Sequence, residues 1–159
     1  MIRKAQIKDI KAIHSLLQRY GNKGQLLSRP LSQLYDHIRD FLVCVDGPDE
    51  TFLGCCALQI TWEDMAEIRS LAVHPQHQKK KIGAKLVEAA LADAKSLNIA
   101  KVFTLTYQPE FFKKYGFIQI QMSELPLKIW GDCLTCVKFP DCDEIALMKE
   151  LKSDRRPIG

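Results

Sequence analysis

The sequence is poor in the features that mark several broad classes of protein. No apolar run is long enough to span a bilayer. Residues 1–13, MIRKAQIKDIKAI, carry neither a long apolar core nor a cleavage-site pattern, so neither a membrane span nor a secretory leader is expected. No charge of one sign dominates: 23 Lys and Arg stand against 19 Asp and Glu, a net of +4. That mild basicity suits a small anionic ligand and is too weak to argue for nucleic acid as a partner. There is no internal repeat, low-complexity tract or interdomain linker. What remains is the expectation of one cytoplasmic globular domain over residues 1–151, then a disordered tail at 152–159, with the six cysteines reduced.

Hydrophobic periodicity supplies the elements. Ile2–Ile7 reads as a strand. Asp9 can cap a helix whose apolar positions Ile10, Ile13, Leu16 and Leu17 recur at helical spacing, with Gly21 and Gly24 to stop it. Ser28 or Ser32 can start a second helix carrying Leu34, Tyr35 and Ile38. Phe41–Val45 and Thr51–Ile60 read as strands joined by the turn-forming cluster DGPDE, with Cys44, Cys55 and Cys56 as buried packing residues within them. Further on come a strand at Lys101–Tyr107, a short helix from Pro109 ended by Gly116, and strands at Phe117–Gln121 and Asp143–Leu151.

Between these lies the stretch that organises the chain, Ala66–Leu86. Ile68, Ser70 and Ala72 alternate with Glu67, Arg69, Leu71 and Val73, which is a strand period. His74-Pro75 ends it, because proline has no amide donor and restricts the residue before it. A basic loop follows, Gln76–Lys81, and from Ile82 the period turns helical, with Ile82, Leu86, Ala89, Ala90 and Ala94 on one face. Strand, loop and helix in that order present a helix N-terminus, whose free N–H groups and positive dipole end favour phosphate. The complete order is β-α-α-β-β-β-α-β-α-β-β, an α/β (α+β) chain with a mixed sheet flanked by helices on both faces.

The loop Gln78-Lys79-Lys80-Lys81-Ile82-Gly83 resembles the acetyl-CoA loop of the GNAT acetyltransferases, Gln/Arg-x-x-Gly-x-Gly/Ala. Gln78 and Gly83 match, and Lys81 replaces the first glycine; a negative φ at Lys81 would keep the loop. The runs PEFFKKYGF, SELPLKIW and CLTCVKFPDCDE, with LLSRPLSQL and AEIRSLAV, extend the resemblance over nearly the whole chain. They are similar to those of the short single-domain bacterial N-acetylglutamate synthases. The resemblance implies a GNAT fold with a mostly antiparallel central sheet. It also implies transfer of acetyl from acetyl-CoA to the α-amino group of L-glutamate, for arginine biosynthesis. Longer relatives carry an arginine-sensing domain that is not expected here, and a homodimer is compatible with the resemblance.

The resemblance also assigns roles. Acetyl-CoA would lie along Leu71, Ala72 and Val73, with its diphosphate over Gln78, Lys79, Lys80, Lys81, Ile82, Gly83 and Ala84 and with Phe112 beside it. Glu67 would be the base, since an ammonium has no lone pair until a proton is removed. A backbone N–H of Leu71–Val73 would stabilise the thioester oxygen. Tyr115, or Tyr107, would protonate the leaving sulfur in place of the tyrosine that many GNAT enzymes have where this chain has Phe112. Arg29, Arg69 and Lys128 would meet the substrate carboxylates, with Arg29 offering a bidentate fork. Cys133, Cys136 and Cys142 form C-x2-C-x5-C, a partial zinc pattern in which Asp141 or Asp143 could serve as fourth ligand, against the alternative of plain reduced thiols. Two other readings stay open. One is a GNAT enzyme for another amine: a different amino acid, a polyamine or a protein. The other is a non-catalytic acyl-CoA sensor or metal-stabilised interaction module.

Overall fold

Ile10, Ile13, Leu16 and Leu17 line the buried side of one helix in the structure, a computed structural model that describes residues 1–24, 29–125 and 144–151. The elements are β1 (Ile2–Lys4), α1 (Ile10–Asn22), α2 (Leu31–Asp36), β2 (Phe41–Asp46), β3 (Thr51–Trp62), β4 (Met65–Val73), α3 (Ile82–Ser96), β5 (Lys101–Thr106), α4 (Pro109–Lys113), β6 (Ile118–Ile120) and β7 (Ile145–Glu150). Short 3-10 turns occupy Ile7–Asp9, Ile38–Asp40, Pro75–Lys80 and Met122–Glu124. Those turns aside, the order is the one that periodicity predicts. The strands form a seven-stranded sheet in the order β1-β2-β3-β4-β5-β7-β6. β4 runs parallel to β5, while β1–β2, β2–β3, β5–β7 and β6–β7 are antiparallel, so the sheet is mixed and mostly antiparallel as expected. No helix among the described residues is long and apolar enough to cross a membrane.

The chain divides into two compact units, Met1–Gln59 with Ile68–Ala94, and Ile60–Glu67 with the described residues from Lys95 on. In the first, the apolar side of α1 meets Leu34, Phe41, Val43, Val45, Cys55, Ala57 and Ala72. Gly54 allows β3 to lie tightly against β4 and α3: a Cβ there would sit 2.8 Å from the Ala72 carbonyl oxygen and 3.3 Å from Val73 Cα. Backbone atoms in a sheet cannot step aside as a flexible side chain can. Gly54→Ala should therefore cost about 1–3 kcal/mol, the range for overpacking a well-filled core. A urea midpoint equal to that of the wild type would contradict this.

Two expectations in this unit are corrected. β1 ends at Lys4 rather than Ile7, and Asp9 does not cap α1 with its side chain. Both have one cause. The Asp9 carboxylate accepts from the Gln6 N–H at 2.7 Å and from Arg3 Nη1 and Nη2 at 2.7 and 3.1 Å, which folds residues 6–9 into a turn and leaves Ile7 exposed. Arg3 Nε also reaches Glu50 Oε1 at 3.1 Å. Burial alone would raise the Asp9 carboxyl, but the Arg3 and Gln6 hydrogen bonds outweigh it and hold the group below its ordinary 3.8. A carboxylate depressed on folding stabilises the native state above its unfolded pKa, and that contribution is lost as pH falls through the folded value. Stability should thus decline below about pH 4. Asp9→Asn should lower the neutral-pH urea midpoint, by about 2 kcal/mol in stability, and flatten the acid decline. An acid limb as steep as the wild type's would refute it.

Cys44, Cys55 and Cys56 are buried and free, as expected of packing residues. Burial drives the Cys55 thiol far above the ordinary thiol range and pushes Cys56 up to about 12, so neither is a thiolate at neutral pH. In the second unit β5 pairs with β7 over Lys101↔Glu150 to Thr106↔Ile145, and β6 with β7 over Ile118↔Met148 to Ile120↔Ala146. Met65, Phe103, Leu125 and Ala146 form its core. The parallel ladder of β4 and β5 is short, from Met65↔Lys101 to Glu67↔Phe103.

Candidate active site

Strand alternation places the side chains of β4 as predicted: Ile68, Ser70 and Ala72 are buried, while Glu67, Arg69, Leu71 and Val73 are half-buried. Ser70 has φ +56, a left-handed conformation inside a strand. Such residues mark bulges, where a strand twists and bends out of regular pairing. It comes three residues after Glu67, the last β4 residue of the ladder to β5.

Past Val73 the chain enters the cofactor-loop candidate. The His74 N–H donates to the Leu53 carbonyl at 2.7 Å, Pro75 opens the 3-10 turn, and His74 receives the Gln76 N–H on Nδ1 at 3.4 Å and the His77 N–H on its carbonyl at 2.8 Å. Gln78, Lys79 and Lys80 complete the turn. Lys81 follows with φ +58 and ψ +26. The condition of a negative φ is not met: the lysine adopts the left-handed conformation for which glycine is suited. For a residue with a Cβ that costs roughly 1–2 kcal/mol, against about 0.5–1 kcal/mol for the extra unfolded-chain freedom of glycine. Lys81→Gly should therefore raise stability by up to about 1 kcal/mol. A lower urea midpoint would refute the strain.

α3 begins at once. Its first helical bond runs from Lys85 N–H to Lys81 O at 3.1 Å, so the amides of Ile82, Gly83 and Ala84 precede the first donor of the helical ladder. Ile82 is buried and anchors the helix, with Leu86, Val87, Ala90 and Ala94. Val87 belongs to this buried face, whereas Ala89 is only half-buried. A basic turn, three leading amides and a glycine among them fit an anionic group such as a diphosphate.

Tyr20, which no motif singled out, joins this arrangement. Its hydroxyl donates to the Val73 carbonyl at 2.5 Å and accepts from Gln78 Nε2 at 2.5 Å. The available signal was its place three and seven residues after Leu17 and Ile13, on the apolar face of α1, with a polar tip beyond it.

Arg29, just before α2, is 4% exposed, with its guanidinium carbon 5.4 Å from the centre of the Phe41 ring. It is close enough to Cys55 to pull that thiol's pKa downward against burial. Arg69 Nη1 donates to Gln59 Oε1 at 3.0 Å. In the second unit Phe112 is buried against Phe111 and Phe117, with ring centres 5.1 and 5.4 Å away. Tyr115 is half-buried against Phe111, and its carbonyl accepts from Lys149 Nζ at 2.5 Å. The same ammonium lies where a Cβ on Gly116 would come within 2.6 Å, at a φ of +89. Lys128, Cys133, Cys136 and Cys142 lie outside the described residues. Among the described residues no group of three or more His, Cys, Asp or Glu could hold a metal.

Comparison with known proteins points to one family. Residues 37–119 match the acetyltransferase (GNAT) domain. An uncharacterised N-acetyltransferase of Chlorobaculum tepidum is 40% identical over 94% of this chain and 96% of its own length. An amino-acid acetyltransferase of Mycobacterium tuberculosis is 34% identical over 83% of this chain and 76% of its own. Among solved structures, N-acetylglutamate synthase of Neisseria gonorrhoeae, complexed with coenzyme A and N-acetyl-glutamate, superposes with a TM-score of 0.87 and 29% identity. That match covers 96% of this chain and 35% of the longer one. By sequence, by sheet topology and by the loop between β4 and α3, this chain belongs to the GNAT acetyltransferase family.

Proposed function

We propose that this protein transfers the acetyl group of acetyl-CoA to the α-amino group of L-glutamate, giving the N-acetyl-L-glutamate used in arginine biosynthesis. The observation that carries this reading is the likeness, over nearly all of this chain, to a synthase solved with coenzyme A and N-acetyl-glutamate. The amino-acid acetyltransferase of M. tuberculosis supports it from the sequence side.

The chain's residues supply the parts. The leading amides of α3 and the basic turn before it receive the diphosphate, and β4 from Leu71 to Val73 lies along the acyl carrier. Glu67 takes a proton from the substrate ammonium, directly or through water, and frees the lone pair. The amine nitrogen then bonds to the thioester carbon and the carbon–sulfur bond breaks. A backbone amide of Leu71–Val73 donates to the carbonyl oxygen as it gains charge. The departing thiolate takes its proton from Tyr115 or from solvent, and the second proton, shed by the nitrogen as the amide forms, goes to solvent or restores Tyr115; a thiol pKa of about 8.5 on the cysteine scale makes the thiolate a tolerable leaving group by itself. Arg29, with Arg69 and Lys128, meets the two carboxylates of the acceptor.

The test is thiol release from acetyl-CoA with each amino acid offered separately. Turnover with L-glutamate well above all others is the expected result. Turnover with a different amine would keep the chemistry and sink the glutamate assignment. Coenzyme A binding without turnover would favour a sensor.

A further inference from the structure

We infer that Tyr20 is a positioning residue for the cofactor turn: from α1 it ties the end of β4 to Gln78 and so holds Pro75–Lys81 in the form that receives a diphosphate. The inference rests on the acyl-CoA reading of that turn. Its basis is a contact between residues far apart in sequence. The Tyr20 ring packs on the core of α1, β2 and β3, so the position of its hydroxyl is set by buried apolar neighbours. A phenol has one proton to give. Donating it to the Val73 carbonyl leaves the oxygen as an acceptor, and Gln78 Nε2 fills that role.

The turn has need of such a tie. In its first half the backbone bonds run to His74. In its second half it must deliver Lys81 in a left-handed conformation immediately before the amides of α3. A strained residue persists only where its surroundings over-determine it. Gln78, exposed at the surface, would sample several rotamers without the fixed phenol. With it, the middle of the turn is pinned three residues before Lys81, to the strand on which the acyl carrier is proposed to lie.

Calorimetry with coenzyme A, and displacement of coenzyme A by pantetheine, which lacks the diphosphate, tests this on the full chain. Tyr20→Phe and Gln78→Ala should each weaken coenzyme A about fivefold while pantetheine stays within about twofold, the size of one net hydrogen bond. Because both variants break the same bond, the double variant should bind coenzyme A no more weakly than the weaker single one. Unchanged coenzyme A affinity in either single variant, equal losses for the two ligands, or additive losses in the double variant would overturn the inference. If Tyr20→Phe does not fold, Gln78→Ala breaks the contact from the exposed side, and an unchanged coenzyme A affinity there overturns the inference. A wild type that does not bind coenzyme A removes the acyl-CoA reading itself, whereas failure confined to the variants removes only the role of Tyr20.

Discussion

Glu67→Gln is expected to lower turnover by about two to three orders of magnitude, within the range for loss of a general base, with little change in the affinity for acetyl-CoA. The two side chains are nearly isosteric, so the substitution removes basicity and keeps shape. The fold should tolerate it, because Glu67 is held by the backbone ladder Met65↔Lys101 to Glu67↔Phe103, which does not depend on the side chain. It is half-buried on β4, the strand that continues into the cofactor turn. The sign of the pH dependence follows. A base must be ionised to accept a proton, so wild-type turnover falls on the acid side as the carboxylate protonates, and the glutamine variant should lose that limb. Thiol release across pH, with coenzyme A binding as control, measures both. Turnover unchanged in Glu67→Gln would remove this residue from the base role, and a solvent-derived base would have to be considered in its place.

What could be read in advance divides by the range of the interactions involved. Local periodicity placed α1, α3, β4 and the order of the strands, since each depends on which side chains face the core over a few residues. The turn at residues 6–9 was misread because Ile7 continues the apolar run of β1, while the carboxylate that bends the chain there is also held by Arg3. The conformation of Lys81 is not legible locally for a related reason. A residue's φ in a tight turn is imposed by the elements on either side, here β4 tied to Leu53 and α3 anchored by Ile82, and propensity does not decide it. Tyr20 was invisible as a functional candidate because its hydrogen bonds span 53 and 58 residues of sequence. The burial of Phe112 against Phe111 and Phe117 is a matter of tertiary packing that the run PEFFKKYGF does not show by itself.

The burial of Arg29 changes what its removal should do. A surface arginine would lose an exposed ion pair worth about 1 kcal/mol or less. A buried guanidinium over an aromatic face is oriented before the substrate arrives, and a carboxylate meeting it in a low-dielectric setting is held more strongly than in water. Truncating one partner of such a pair costs about 2–5 kcal/mol. Arg29→Ala should therefore raise the KM for L-glutamate about thirtyfold or more, with the KM for acetyl-CoA within about threefold. Arg29→Lys should recover little of the loss, because an ammonium keeps the charge but has neither the bidentate fork nor the flat surface that rests on Phe41. Steady-state kinetics in both substrates, with thermal melting to confirm folding, separates this from a structural role. If Arg29 only filled the core beside Phe41 and Cys55, both Michaelis constants would rise together and the melting temperature would fall with them. If the lysine variant restored the KM for glutamate, the fork geometry would be irrelevant and a point charge would account for recognition.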